Sequence, residues 1–268
     1  LALAAGTAVA QPAAAPPRFK WQPGQVLTYK VLQETAVEET TLDEKAEKGV
    51  TAATRTQLAL TRQWTVKDVT ADGAATLEMR ITALRREIKH ADGMTTVQDS
   101  ATPADAAAMA GFLNQPVVVA VVDPRGRMEV KETKGGSAGR LHAELPFRVV
   151  FPDAGPAPGQ SWDRAFTLKL DPPLGAGETH EFTQTYTAKG GANGLLTFGV
   201  ATALKAPPKT AAERLPLLPM LWTGELYFDP AAGAYRAARL TAKSELPNHL
   251  GEGTKYVYQS AYSEDLVK

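Results

Sequence analysis

From Val26 onward, apolar and polar residues alternate with a period of two, the spacing of strands that bury one face and leave the other wet. Leu27, Tyr29 and Val31 share one such face. Leu58, Leu60, Trp64 and Val66 repeat the pattern at even positions with Arg62 as the lone exception, and Ala75, Leu77, Met79 and Ile81 follow a turn at Ala71-Asp72-Gly73. Asp92-Gly93 closes a further hairpin. The stretch from Glu34 to Gly49, rich in Glu, Thr and Lys, reads as a solvated strand extension or a loop. Between Thr102 and Leu113 the alternation stops, and the spacing predicts one short helix with Thr102 as N-cap and Pro103 at its first position. Pro116 to Val122 reads as a strand buried on both faces, turned by Asp123-Pro124-Arg125-Gly126 with Pro second and Gly fourth. Later, Trp162, Phe166, Leu168 and Leu170 alternate. Phe182, Tyr186 and Ala188 then lead to Leu196, Phe198, Val200 and Leu204 across a turn at Gly190-Gly191.

Two echoes organise this text. Trp21-Gln22-Pro23-Gly24-Gln25 returns as Pro158-Gly159-Gln160-Ser161-Trp162, and the run into Asp123-Pro124 returns at Asp229-Pro230. The expected fold is therefore mainly β and antiparallel, with about eleven or twelve strands in two pseudo-repeated halves. The halves curve into an open barrel or paired half-barrels, with one short helix. Gly and Pro crowd residues 135–160, which places the joint there and divides the chain into a lead-in over 1–17, a first half over 18–140 that holds the helix, and a second half over 141–268. The Asp-Pro turns stand closer together than the Pro-Gly-Gln marks, so the second half is shorter, and the Thr102 helix is the expected difference.

Composition narrows the function classes. With 29 Lys plus Arg against 29 Asp plus Glu, no global field draws the chain to nucleic acid. The absence of cysteine excludes disulfides, thiolate metal ligands and a cysteine nucleophile. Residues 1–10 form an uncharged apolar run ending in the small-x-small pattern Ala8-Val9-Ala10, the look of a secretory signal's tail, so an exported protein, periplasmic or extracellular, is expected. No later run reaches the about 18 apolar residues that a spanning helix needs.

Candidate chemistry is sparse. There is no Gly-x-Ser-x-Gly elbow, and His90, His142, His180 and His249 show no paired metal-ligand spacing. Neither a catalytic residue, a metal ligand nor a cofactor is assigned. Gly251-Glu252-Gly253-Thr254-Lys255 lacks phosphate-loop spacing and reads as a hairpin turn. Two segments stand out as binding candidates. Leu215, Leu217, Leu218, Met220, Leu221 and Trp222 sit among four prolines, too many for a regular helix or central strand. They predict a loop folded back over an open sheet edge or barrel mouth, or a lid on an apolar ligand pocket. Tyr256, Tyr258 and Tyr262 share one face of the last strand, as a wet edge of the core or as a surface for a partner protein.

The pattern Trp21-x-Pro23-Gly24-Gln25-x-x-x-Tyr29, the hairpin Val66-x-Asp68-Val69-x-x-Asp72-Gly73, Asp99-Ser100, Val122-Asp123-Pro124-x-Gly126 and Pro158-Gly159-Gln160-x-Trp162 together resemble an uncharacterised family of exported bacterial two-part β proteins, over residues 19–268. These are turn and packing residues, so the resemblance implies architecture and no catalytic role. A curved antiparallel sheet with one covering helix is also similar, at the level of fold, to the half-barrels that carry lipids or lipoproteins across the periplasm. The resulting expectation is an exported, non-enzymatic protein that holds an apolar or amphipathic ligand on a concave β surface. Its counterpart is a cell-envelope module that docks a partner through β edges.

Overall fold

The computed structural model describes residues 16–42, 49–133, 149–172 and 175–267. The acidic residues Asp43, Glu44 and Glu47, the expected Gly135-Gly136-Ser137 joint and the apolar leader fall outside them.

Twelve antiparallel strands form one curved, open sheet. In chain order they are β1 (Val26–Leu42), β2 (Gly49–Val69), β3 (Ala75–Lys89), β4 (Thr95–Asp99), β5 (Pro116–Val122), β6 (Met128–Thr133), β7 (Ser161–Lys169), β8 (Thr179–Ala192), β9 (Leu195–Leu204), β10 (Thr223–Asp229), β11 (Ala234–Pro247) and β12 (Lys255–Val267). Their spatial order is β6-β5-β3-β2-β1-β12-β11-β10-β9-β8-β7, with β4 beside β3. Every neighbour on that path is a chain neighbour among the sheet's main strands except β1 and β12, whose pairing from Thr28↔Val267 to Thr40↔Lys255 joins the two halves. The path is thus a meander that begins and ends in the middle of its own sheet, and among the described residues its free edges are β6 and β7.

Register fixes which side chains face inward, because partners across an antiparallel pair project to the same face. Leu27, Tyr29 and Val31 lie opposite Trp64, Arg62 and Leu60, and these in turn lie opposite Met79, Ile81 and Leu84. The inner face so defined holds a large buried cluster that includes Trp64, Tyr186, Tyr235, Phe198 and Leu226. A smaller cluster of Leu168, Leu170, Phe182 and Leu217 lies in the second half.

One end of the sheet is tied shut. The strand-preceding segment donates Phe19 N to Pro124 O at 2.7 Å and Lys20 N to Gly233 O at 3.0 Å, so it bonds to both Asp-Pro turns. Phe19 stacks on Trp21 at 5.3 Å and meets Phe228 edge-on at 5.1 Å. Phe151 fills the same space against Phe228 and Phe198, with centroids at 4.8 and 5.5 Å. Near the two free edges, Phe151 N bonds to Arg125 O at 2.8 Å and the indole of Trp162 donates to Val150 O at 2.7 Å.

The two Pro-Gly-Gln turns close with matching bonds. Gly24 N reaches Val66 O and Val66 N returns to Gln25 O, while Gly159 N reaches Ala188 O and Ala188 N returns to Gln160 O. In each, the Gln side chain also accepts from the backbone three residues earlier, at Gln22 and Ala157.

Several expectations need correction. The predicted helix, α1 (Pro103–Met109), has Thr102 accepting from Asp105 N as its cap, but it is not alone. A second, α2 (Ala211–Arg214), starts with a full capping box between Thr210 and Glu213 and runs into a 3-10 segment, Leu215–Met220. A helix thus precedes each of the two Asp-Pro hairpins. Of the two readings of the Glu34 stretch, the strand extension holds as far as Leu42, where β1 ends. Gly190-Gly191 is a bulge region inside β8, and the hairpin turns at Asn193-Gly194, both at positive φ (52° and 78°). In β5 only Val118, Ala120 and Val122 are buried, because no second layer covers its outer face.

Candidate ligand-binding surface

The Leu215–Trp222 segment turns inward. Leu217, Leu218 and Trp222 are buried, while Leu215, Met220 and Leu221 are half-buried. The capping box at Thr210 starts the chain into the 3-10 turn, Pro216 and Pro219 keep it short, and it packs on β11. Leu217 joins the second-half cluster, Leu218 and Trp222 join the main one, and Trp222 meets the ring of Tyr262 at 5.8 Å. Leu217, Leu218 and Trp222 thus pack into the interior of the curved sheet.

The tyrosine stripe faces inward as well. Tyr258 and Tyr262 are each 5 % exposed and Tyr256 is half-buried. A partner protein approaching β12 from outside meets Lys255, Val257, Gln259 and Ala261 instead, since these alternate with the tyrosines. Burial pushes the Tyr258 phenol above its ordinary value, and burial together with the Glu39 carboxylate does the same at Tyr256.

Sequence reasoning missed the polar groups inside the sheet. Glu264, 2 % exposed, accepts from the hydroxyl of Tyr235 at 2.9 Å and stands 3.5 Å from Arg62 Nε. Arg62 also donates to the hydroxyl of Tyr262 at 3.2 Å, and Tyr29 donates to the carbonyl of Tyr235 at 3.0 Å. In the second half, Tyr186 donates to Gln184 Oε1 at 2.5 Å, and Gln184 donates to Thr202 at 3.1 Å. Burial pushes the Tyr186 phenol up to about 12. The only sequence signal for this interior was Arg62, a charge on an otherwise apolar face. At the far rim, His249 lies with its side chain 1 % exposed and its Nε2 2.8 Å from Glu39 Oε1. Among the described residues no group of three His, Asp or Glu side chains could hold a metal ion, and no helix is long and apolar enough to cross a membrane.

Beyond this filled interior, β1, β2 and β3 run on past the main core. Val37, Leu58, Leu84, Ile88 and Tyr256 lie on the inner face of that extension, all half-buried. Leu58, Leu84 and Ile88 belong to neither buried cluster. Arg86, opposite Leu58 and exposed, puts a charge on the same concave face. The outer face of β3 is polar, with Arg85 2.8 Å from Glu87, whose carboxyl that bond holds below its usual range.

No family model matches the chain, and no curated protein matches it. Among solved structures, the secretin InvG of the Salmonella SPI-1 type III secretion injectisome in its open-gate state is 9% identical, with 91% of this chain and 60% of that chain covered and a TM-score of 0.16. Similarity at that level supports no common fold.

Proposed function

We propose that this protein binds, without catalysis, an amphipathic lipid-like molecule along the concave face of β1, β2 and β3, and does so outside the cytoplasm. One observation carries the reading: on the inner face Val37, Leu58, Leu84 and Ile88 are half-exposed, and the last three belong to neither buried cluster. Half-exposed apolar groups lining a concavity gain about 25 cal/mol for each Å² that a ligand removes from water. Arg86 on the same face suits a polar or anionic head. Export is supported by the apolar run over residues 1–10, which ends in the small-x-small pattern Ala8-Val9-Ala10. The paired Pro-Gly-Gln turns, with their matching bonds, support descent of the two halves from one duplicated unit.

The test is titration with a fluorescent lysophospholipid, comparing the intact chain with Val37→Glu and Ile88→Glu. Saturable binding, weakened at least about tenfold by either charge, is expected, since each buries a carboxylate against the tail. Equal binding by all three proteins would remove the concave face from consideration.

A second reading draws on the free edges. Among the described residues β6 and β7 each pair on one side only, and such edges take up strands from partners. Chemical crosslinking in envelope extracts, mapped to Met128–Thr133 or Ser161–Lys169, would favour it; crosslinks confined to other strands would not.

A further inference from the structure

The sheet guards its ends unequally. β6 is short, carries Glu129, Lys131 and Glu132, and its pairing with β5 slips between Val119 and Ala120, which bulges the strand at Lys131. β4 is stopped by α1, whose Asp105 carboxylate takes the amide of Asp99 at 2.7 Å. Charge, brevity and bulges are what keep an edge from pairing with another chain. β7 is built differently. Its nine residues pair with β8 without a slip from Ser161↔Thr187 to Lys169↔Thr179, and no proline interrupts them. Its charges are each engaged within the chain: Asp163 accepts from Thr185 at 2.7 Å, Arg164 lies over the ring of Phe166 at 5.6 Å, and Lys169 stands 3.5 Å from Asp171.

The open side of β7 is a fixed row of donors and acceptors. Gln160 O accepts from Ala188 N, and Leu170 donates to Glu178 O and accepts from Gly177 N, so even-numbered residues turn their backbone to β8. Ser161, Asp163, Ala165, Thr167 and Lys169 therefore turn theirs outward. A second copy meets this row antiparallel about a twofold axis, the symmetry of most homodimers. Charge selects the register. Centred on Phe166, the pairing sets Asp163 of each copy opposite Lys169 of the other. It also brings the two Phe166 rings, each half-buried and stacked on its own Phe182, into the close non-hydrogen-bonded position. Centred on Ala165, the pairing sets Asp163 against Thr167 and Lys169 against Ser161, and centred on Thr167 it sets Asp163 against Asp171. The Phe166 register forms about eight backbone hydrogen bonds between copies. With 29 basic against 29 acidic residues, no net charge opposes their association.

We infer that the chain forms a homodimer through β7, paired antiparallel about Phe166 into one continuous sheet. This rests on the reading of the free edges as strand acceptors, naming the strand and the partner, and is independent of the concave ligand face. The experiment is sedimentation velocity of the full chain across a dilution series, in which a dimer that dissociates at concentrations on the order of micromolar is expected. Ala165→Pro removes an outward N–H that β8 does not use, so it should leave the circular dichroism spectrum unchanged and the chain monomeric. Asp163→Lys and Lys169→Asp should each weaken dimerisation about tenfold, and combining them should restore it. Amide exchange should slow with concentration at Ala165 and Thr167 and stay constant at Phe166, while in the dilute monomer β7 exchanges as fast as β6. A monomer at every concentration, a dimer indifferent to Ala165→Pro, or a double variant as weak as the singles overturns the inference. A monomer crosslinked through Ser161–Lys169 to a different envelope protein ends the self-pairing and keeps the edge reading.

Discussion

Gly126 and Gly159 look alike as letters and differ in what surrounds them. Both have left-handed φ, +89° and +82°. A Cβ at Gly126 would lie 2.4 Å from Val149 O and 2.6 Å from a Phe19 ring carbon, whereas one at Gly159 would meet nothing within 4 Å. Gly159→Ala should therefore cost only the backbone term, about 1 kcal/mol. Gly126→Ala should cost about 3 kcal/mol or more, because the strap that ties both Asp-Pro turns must shift. Urea denaturation of the two variants checks the ordering. Tyr186 gives a pH prediction. Its phenol is pushed up to about 12 in the folded chain, so its contribution is fully present below the unfolded value of about 10 and is lost as pH rises toward 12. Stability should fall across that window, and Tyr186→Phe should fall less steeply. Sequence showed the polar intruder Arg62 but not its partner Glu264, because that meeting depends on the β1–β12 register, which no local pattern encodes.

Among elements, the Leu215–Met220 segment shows how far local chemistry can be read. Its prolines ruled out a regular helix, and the structure makes it a 3-10 turn. The Thr210–Glu213 capping box lies in plain sequence just before it, a start signal that the proline-broken run after it obscured. Leu217 is fully buried and Met220 only half, so Leu217→Ala should destabilise by about 3 kcal/mol and Met220→Ala by clearly less, as thermal unfolding would register. Ligand affinity at the concave stripe should be indifferent to Met220→Ala, since this segment packs on β11 rather than on β1–β3. Turn reading failed at Gly190-Gly191 for a physical reason. Two glycines permit a turn, but Asn193-Gly194 just beyond supplies the positive φ pair that a two-residue hairpin needs.

At the scale of the molecule, strand count and antiparallel class were legible because period two and turn residues are local. The order was not. Nothing in the text announces that the first and last strands meet, yet β1 and β12 form the seam that makes one sheet of both halves. Amide exchange should reflect that order, slowest along β1, β11 and β12 and fastest on β6 and β7, whose outer ladders have no partner among the described residues. Equal protection at the edges and the seam would contradict the open sheet. The burial of Leu217, Leu218 and Trp222 and the half-exposure of Leu58, Leu84 and Ile88 both depend on how the long strands curve, which the period of two does not record. Native mass spectrometry of the protein purified from its own host, without detergent at any step, tests the binding claim most directly. The account predicts a population heavier than the bare chain by a lipid-sized mass that organic solvent removes; a single species at the bare-chain mass would contradict it.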